Sequence, residues 1–265
     1  MSRKSNNGVL LLLVSAIIAV VLGYLYFRSQ VNKVEVIPGS LEIPEVRADD
    51  NVIVHSAFTL SYNEEHEQAF WVAYELTREE LADNFKREKI HFKPDPKVNT
   101  GSATDDDYRG SGFDRGHLAP AGDMNFSLDA LKESFYFSNI SPQVRKFNSG
   151  IWKSLEEKTR DWAGRFGSVF VVTGPVLEDN LRVIGDNEVS VPRRFFKAIL
   201  VFNKNFPPNA IAFLMENKSS RKPLKDFSIS IDSLEQILRR DLFPLVDDEF
   251  EQKIEKEPQI SFWFD

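Results

Sequence analysis

Hydrophobic and polar positions change rhythm several times along the chain, and each change marks an element. Residues 8–27 form an apolar run without a charged side chain, about 30 Å long as a helix and enough to cross a bilayer. The length of the run and its Tyr24, Leu25, Tyr26, Phe27, Arg28 ending favour an uncleaved anchor over a signal peptide. A buried core helix fits less well, because no polar face interrupts it. Residues 57–62 and 69–76, divided by a polar stretch, predict a two-stranded hairpin. Thr77-x-x-Glu80 predicts a capping box opening a short helix to about Phe85. Ser127 caps a helix carrying Leu128, Leu131 and Phe135, and Asp232-x-x-Glu235 opens another that reaches Leu242. The short apolar or β-branched runs at 169–172, 195–202 and 210–215 read as buried strands. Residues 99–112, rich in Gly, Ser and Asp, read as a loop whose Asp105, Asp106 and Asp107 are a solvated acidic patch, with a cation site as the alternative.

Strands and helices are interspersed without regular alternation, which favours an α+β fold on a mixed, largely antiparallel sheet flanked by helices over a doubly wound one. The expected organisation is a short cytoplasmic head at 1–7, a transmembrane helix at 8–27, a linker at 28–50 and one domain at 51–265. Arg3, Lys4 and the terminal amine would hold the amino end in the cytoplasm, leaving the domain outside it. A bacterial periplasm is the favoured compartment and the mitochondrial intermembrane space the alternative.

Composition narrows the chemistry. The 265 residues are 42% hydrophobic with 22 Phe, sufficient for a sizeable core. Cysteine is absent, which excludes disulfides, zinc–thiolate sites and a cysteine nucleophile. The net charge is −7, and with +4 in the first 33 residues the remainder carries −11, which argues against a passive nucleic-acid coat. Residues 109–197 are locally +2, so a polyanion site belongs there.

Two stretches concentrate reactive groups. The first, SGFDRGHLAPAGDM (Ser111 to Met124), places one of four histidines, His117, two residues after Arg115 among several glycines. The second, FNSGIWKSLEE (Phe147 to Glu157), puts Asn148, Trp152, Leu155 and Glu156 along one face of a helix. Asn148 and Glu156 would lie about 12 Å apart along the axis, too far for both to hold one small cation directly. Glu156 would then hydrogen-bond a metal-bound water, while an Asn N-cap with a solvent-facing Glu fits the same local pattern.

Together with SNISPQVRKF between them, these stretches resemble the DNA/RNA non-specific endonucleases of the ββα-metal type. The compound pattern of DRGH, Asn-Ile-x-Pro-Gln and Phe-Asn-x-Gly-x-Trp-x-x-Leu-Glu, in order and closely spaced, carries the likeness. It extends more loosely from about Val52 to the Leu242 region. The resemblance implies a ββα-metal core, hydrolysis of DNA and RNA, and a hydrated Mg²⁺, with Mn²⁺ or another divalent cation as a substitute. By the same resemblance His117 is the general base, Arg115 faces the phosphate, Asn148 is the metal's protein ligand, Glu156 supports its waters and Asn139 lies at the site as a further catalytic residue. Arg87 is the candidate for an upstream assisting arginine.

Elementary chemistry agrees with those roles. Attack on a phosphodiester needs a base for water, positive charge on the phosphoryl oxygens and stabilisation of the leaving oxygen. Neutral His117, protonated Arg115 and an oxygen-ligated Mg²⁺ meet these needs, and activity should fall below about pH 6. The glycines would let the backbone approach substrate. Arg145 and Lys146 are candidate substrate contacts, with Arg193, Arg194 and Lys197 as further basic residues for phosphate. Asp114 is expected to orient the turn, and His55, His66 and His91 to occupy surface or packing positions. The expected partners are nucleic acid, the membrane and, as an option, a second copy of the chain. The competing readings are a catalytically silent scaffold and a phosphodiesterase acting on a smaller ester.

Overall fold

The computed structural model describes residues 40–265. The expected anchor at 8–27 lies outside them; among the described residues no helix is long and apolar enough to cross a membrane.

The frame is a seven-stranded sheet. In chain order the strands of the domain are β1 (Asn51–Val54), β2 (Thr59–Asn63), β3 (Gln68–Thr77), β4 (Asp114–His117), β5 (Ile140–Gln143) and β6 (Ser168–Pro175). They continue as β7 (Arg182–Ile184), β8 (Val189–Val191), β9 (Arg194–Asn203), β10 (Phe206–Glu216) and β11 (Ser228–Ile229). The large sheet runs β1-β2-β3-β6-β9-β10-β11, while β4-β5 and β7-β8 are separate ribbons. Each paired neighbour in the large sheet is antiparallel, so it is not mixed as expected. The predicted hairpin is β2-β3, in register at Thr59 with Ala73.

Alternation along the strands sets the core. Val72, Tyr74 and Leu76 of β3, Val169 and Val171 of β6, and Phe195, Ile199 and Val201 of β9 are buried with Leu155, Trp162 and Phe166 of the Lys153–Phe166 helix. The intervening Ala73, Val172, Ala198 and Leu200 are buried as well. Strands covered on both faces lose the polar half of the two-residue period, which is why 195–202 reads as one apolar run. Trp71, Phe195 and Phe196 are buried in this packing as well.

Several boundaries move for tertiary reasons. The Thr77–Glu80 box forms reciprocally, but it opens only a 3-10 turn, Glu79–Leu81. Beyond it Phe85 N–H donates to Asn125 O and Asn84 donates to Phe126 O, so the backbone is drawn away from helix. The expected loop at 99–112 contains a helical turn, Asp105–Tyr108, boxed by Thr104 and Asp107. The helix Ile231–Leu238 is capped by Ser230 rather than opened by Asp232, and it stops at left-handed Arg239, short of Leu242. Residues 40–50 are seated on the domain instead of forming the end of a linker: Ile43 is buried and Arg240 pairs with Asp50 at 2.6 Å.

Candidate active site

The motif strands build one wall of a cleft of about 1100 Å³. Antiparallel pairing sets Asp114 opposite Gln143, Gly116 opposite Ser141 and His117 opposite Ile140, so DRGH and Asn-Ile-x-Pro-Gln form a single ribbon. The chain then turns into Phe147–Trp152, a π-helical turn broken at Gly150 (φ −110°, ψ −115°), and continues as the Lys153–Phe166 helix. Strand, strand and helix thus bring Arg115, His117, Asn148 and Glu156 to the same cleft, with Arg87 and Arg145 also lining it. Asn148 and Glu156 are not on one continuous α-helix; the π turn re-aims the asparagine.

Gly116 has a packing role. A Cβ there would lie 2.2 Å from Gln143 Cδ, so the glycine leaves room for a buried neighbour rather than for substrate. Gly110 (φ +73°) and Gly112 (φ +86°) hold left-handed backbone that most side chains disfavour.

His117 sits against Phe135, edge to face at 4.9 Å between centroids, and Phe92 at 5.5 Å. Its Nε2 is buried without a hydrogen-bond partner, which leaves Nδ1 as the nitrogen open to the cleft. Burial, and then the charge of Arg87, push the ring's pKa down to about 3. The imidazole is therefore neutral at and well below physiological pH, and the expected loss of activity at pH 6 does not follow from it.

Asn139 is fully buried and is not part of the cleft wall. Its side chain accepts from Ala119 N–H at 2.9 Å and donates to Ala119 O at 2.9 Å and Ser134 O at 2.8 Å. It clamps the turn that follows His117, which corrects the expectation of a directly catalytic asparagine.

Arg115 lines the cleft while its guanidinium pairs with Asp105 at 2.7 Å and lies 5.6 Å from the Tyr108 ring and 5.8 Å from that of Phe92. Asp105, the first of the acidic triplet, is thus a partner that local pattern did not reveal. Asp107 accepts from Asn187 and Thr104 and is structural. Asn148 Nδ2 donates to Asp114 Oδ2 at 3.2 Å, and this fixes the amide with its oxygen free for another partner. Asp114 also pairs with Arg145 at 3.2 Å.

Glu156 lines the cleft, and its side chain takes part in no hydrogen bond or ion pair among the described residues. Behind it Lys197 points toward the helix-covered face of β9, fully buried, with Nζ unpaired and 5.2 Å from the Trp152 ring centroid. Desolvation raises the pKa of Glu156 and lowers that of Lys197, while each charge draws the other back. Lys197 therefore cannot reach a phosphate, contrary to expectation. Arg160, one helical turn after Glu156, joins the cleft and donates to buried Asp123 at 2.7 Å, and Tyr74 donates to the same carboxylate at 2.8 Å. The i, i+4 spacing of Glu156 and Arg160 was a signal for the arginine; nothing local pointed to Lys197, Asp123 or Tyr74.

The remaining candidates fall elsewhere. Lys146 is exposed and off the cleft wall. Arg193 and Arg194 pair with Glu178. His55 Nε2 bonds Asp95 at 2.9 Å, His66 bonds Ser190 at 2.8 Å, and His91 is exposed.

The family profile described as DNA/RNA non-specific endonuclease matches residues 40–248. The chain belongs to this family. Among curated relatives, Nuclease EXOG, mitochondrial, of Xenopus laevis is 38% identical over 203 residues, covering 71% of this chain and 57% of that protein. Endonuclease G, mitochondrial, of Homo sapiens is 34% identical over 193 residues, 68% of this chain and 65% of that protein. The alignments thus span 57–65% of these two relatives. The crystal structure of an EndoG/EndoGI complex shares 33% identity at a TM-score of 0.70, covering 75% of this chain and 87% of that one. This endonuclease family member therefore has both the family's sequence and its α+β fold.

Proposed function

We propose that the protein is a divalent-metal-dependent endonuclease that hydrolyses phosphodiester bonds in DNA and RNA with little sequence preference. The observation that carries this reading is the convergence on one cleft of a neutral, half-shielded imidazole, an oriented carboxamide oxygen and the Glu156 carboxyl, which makes no side-chain hydrogen bond or ion pair among the described residues.

Asn148 and Glu156 fit a hydrated Mg²⁺ or Mn²⁺, since both offer hard oxygen donors and Asp114 already occupies the amide nitrogen. Asn148 would hold the ion directly and Glu156 through water. When bound, such an ion supplies charge stabilisation to the phosphoryl and leaving oxygens. The chain does the rest. His117 takes the proton of the attacking water at Nδ1, the nitrogen open to the cleft, and its apolar surroundings keep the ring unprotonated so that this nitrogen is available. Arg115 offers a fixed positive charge to a non-bridging oxygen, exchanging Asp105 for phosphate. Arg87 and Arg145 extend the positive lining along the strand. Contacts centred on phosphate carry no base information, which accounts for the absence of sequence preference in this reading.

The relatives' names favour a mitochondrial location over the periplasm, and the apolar run at 8–27 would tether the domain to a membrane.

The test is digestion of supercoiled plasmid and of RNA by the full chain, with Mg²⁺ or with EDTA. Both polymers should be degraded only with metal, and His117→Ala should slow cleavage by about 10²–10⁴-fold while leaving the thermal melt in place. A folded, metal-loaded chain that cleaves neither polymer would refute the reading in favour of a silent scaffold or a small-ester phosphodiesterase.

A further inference from the structure

On the helices beyond β10, far along the chain from the motifs, three carboxylates converge. Asp232 and Glu235 stand one turn apart on Ile231–Leu238, and Glu255 is the C-terminal cap of Asp248–Ile254. One oxygen of each lies within 4.8 Å of the others. Asp232 N–H donates to Glu255 O at 3.2 Å, so the backbone itself holds the two helices in this arrangement. Asp241 and Glu251 add their fields to Glu255. None of these five residues forms an ion pair among the described residues, and the adjacent Arg240 and Lys253 are committed to Asp50 and Glu249.

The second observation lies inside the cluster. Glu255 is only 1% exposed, and its Oε1 is buried with no hydrogen-bond partner. An isolated carboxylate oxygen in that position is costly unless a cation or a proton reaches it. Three oxygens, with no His or Cys in the set, suit a hard cation rather than zinc or copper. Size selects further. Ca²⁺, with oxygens at about 2.3–2.6 Å, bridges ligand atoms up to about 5 Å apart, whereas Mg²⁺ at about 2.0–2.1 Å spans about 4 Å and gives up water reluctantly.

We propose that Asp232, Glu235 and Glu255 form a structural site for a Ca²⁺-sized divalent cation, separate from the catalytic cleft, that pins the C-terminal helices to the domain. The site has a mechanical purpose. The segment that follows Glu255 carries Trp263 into the core, where its Nε1 donates to Asn209 and its carbonyl accepts from Trp162. A clip at Glu255 limits the loosening of that segment before it reaches Trp263.

The experiment is thermal unfolding of the full chain with CaCl₂, with MgCl₂ and with EDTA, in the wild type, in Asn148→Ala to silence the cleft's own ligand, and in Glu235→Gln/Glu255→Gln. At a Ca²⁺ concentration about 100-fold above its Kd, Tm should rise by about 5 °C or more in the wild type and in Asn148→Ala, more than with Mg²⁺, and the rise should be smaller in the double variant, where only the cleft ligands remain. Calorimetric titration of Asn148→Ala should find one Ca²⁺ per chain, a reading that stands even if the double variant fails to fold. No binding in Asn148→Ala, or an equal Ca²⁺ shift in the double variant, overturns the site. Indifference to Ca²⁺ with a Tm that rises on acidification also overturns it, by showing protons in the cation's place.

Discussion

The environment of His117 decides its chemistry. Against Phe92 and Phe135 the ring titrates near 3 instead of its ordinary 6.5, so the acid limb of kcat/KM should fall below pH 5; a limb centred at pH 6 would show a more solvated base. The same shift acts on stability. Between those two values the unfolded chain holds the proton that the folded chain refuses, so this group's contribution is fully present above about 6.5 and is lost as pH falls toward 3. Denaturation titrations from pH 4 to 7 should therefore show a smaller loss on acidification in His117→Gln than in the wild type. DRGH was legible because its residues are neighbours in sequence. The pairing of Arg115 with Asp105 and the packing of His117 against Phe92 were not, because each joins residues at least ten positions apart through space alone.

At the scale of elements, the site is a ribbon, a turn and a helix. Asn139, just before β5, makes two buried hydrogen bonds to the backbone of Ala119 in the turn after β4 and a third to Ser134 O. Asn139→Ala leaves those groups unpaired, at a cost of about 2–3 kcal/mol, and should lower kcat by releasing His117; urea denaturation and single-turnover kinetics check the two effects. Capping boxes were readable at Thr77 and missed at Thr104 although the residue types are equivalent, and the length of the helix after each was decided elsewhere. After Thr77 the backbone finds tertiary partners at Asn125 and Phe126, so the box yields one turn. The π turn at Phe147–Trp152 was illegible for a related reason: an inserted residue in a helix leaves no mark on hydrophobic spacing when Phe147 and Trp152 both still reach the core.

Across the whole molecule, the large antiparallel sheet is closed on one face by the Lys153–Phe166 helix and held at its far edge by the C-terminal segment. Trp263 packs edge-on against Trp162 at 5.0 Å and is fully buried. Trp263→Ala should destabilise the domain by about 3–5 kcal/mol, a Tm drop of roughly 10 °C or more, while kcat of the fraction that remains folded stays near wild type. Calorimetry and an activity assay below the new Tm measure both. The buried strands and the two motifs were determined by the sequence alone, since alternation, apolar runs and the order of a few reactive residues are local properties. The tertiary structure decided that Lys197 is buried near Glu156 and out of reach of a phosphate, that Asn139 braces the turn after His117 from inside the core, and that the His117 ring is neutral far into acid. Burial and charge pairing arise only when distant segments meet, and they set the free energy of each ionised group.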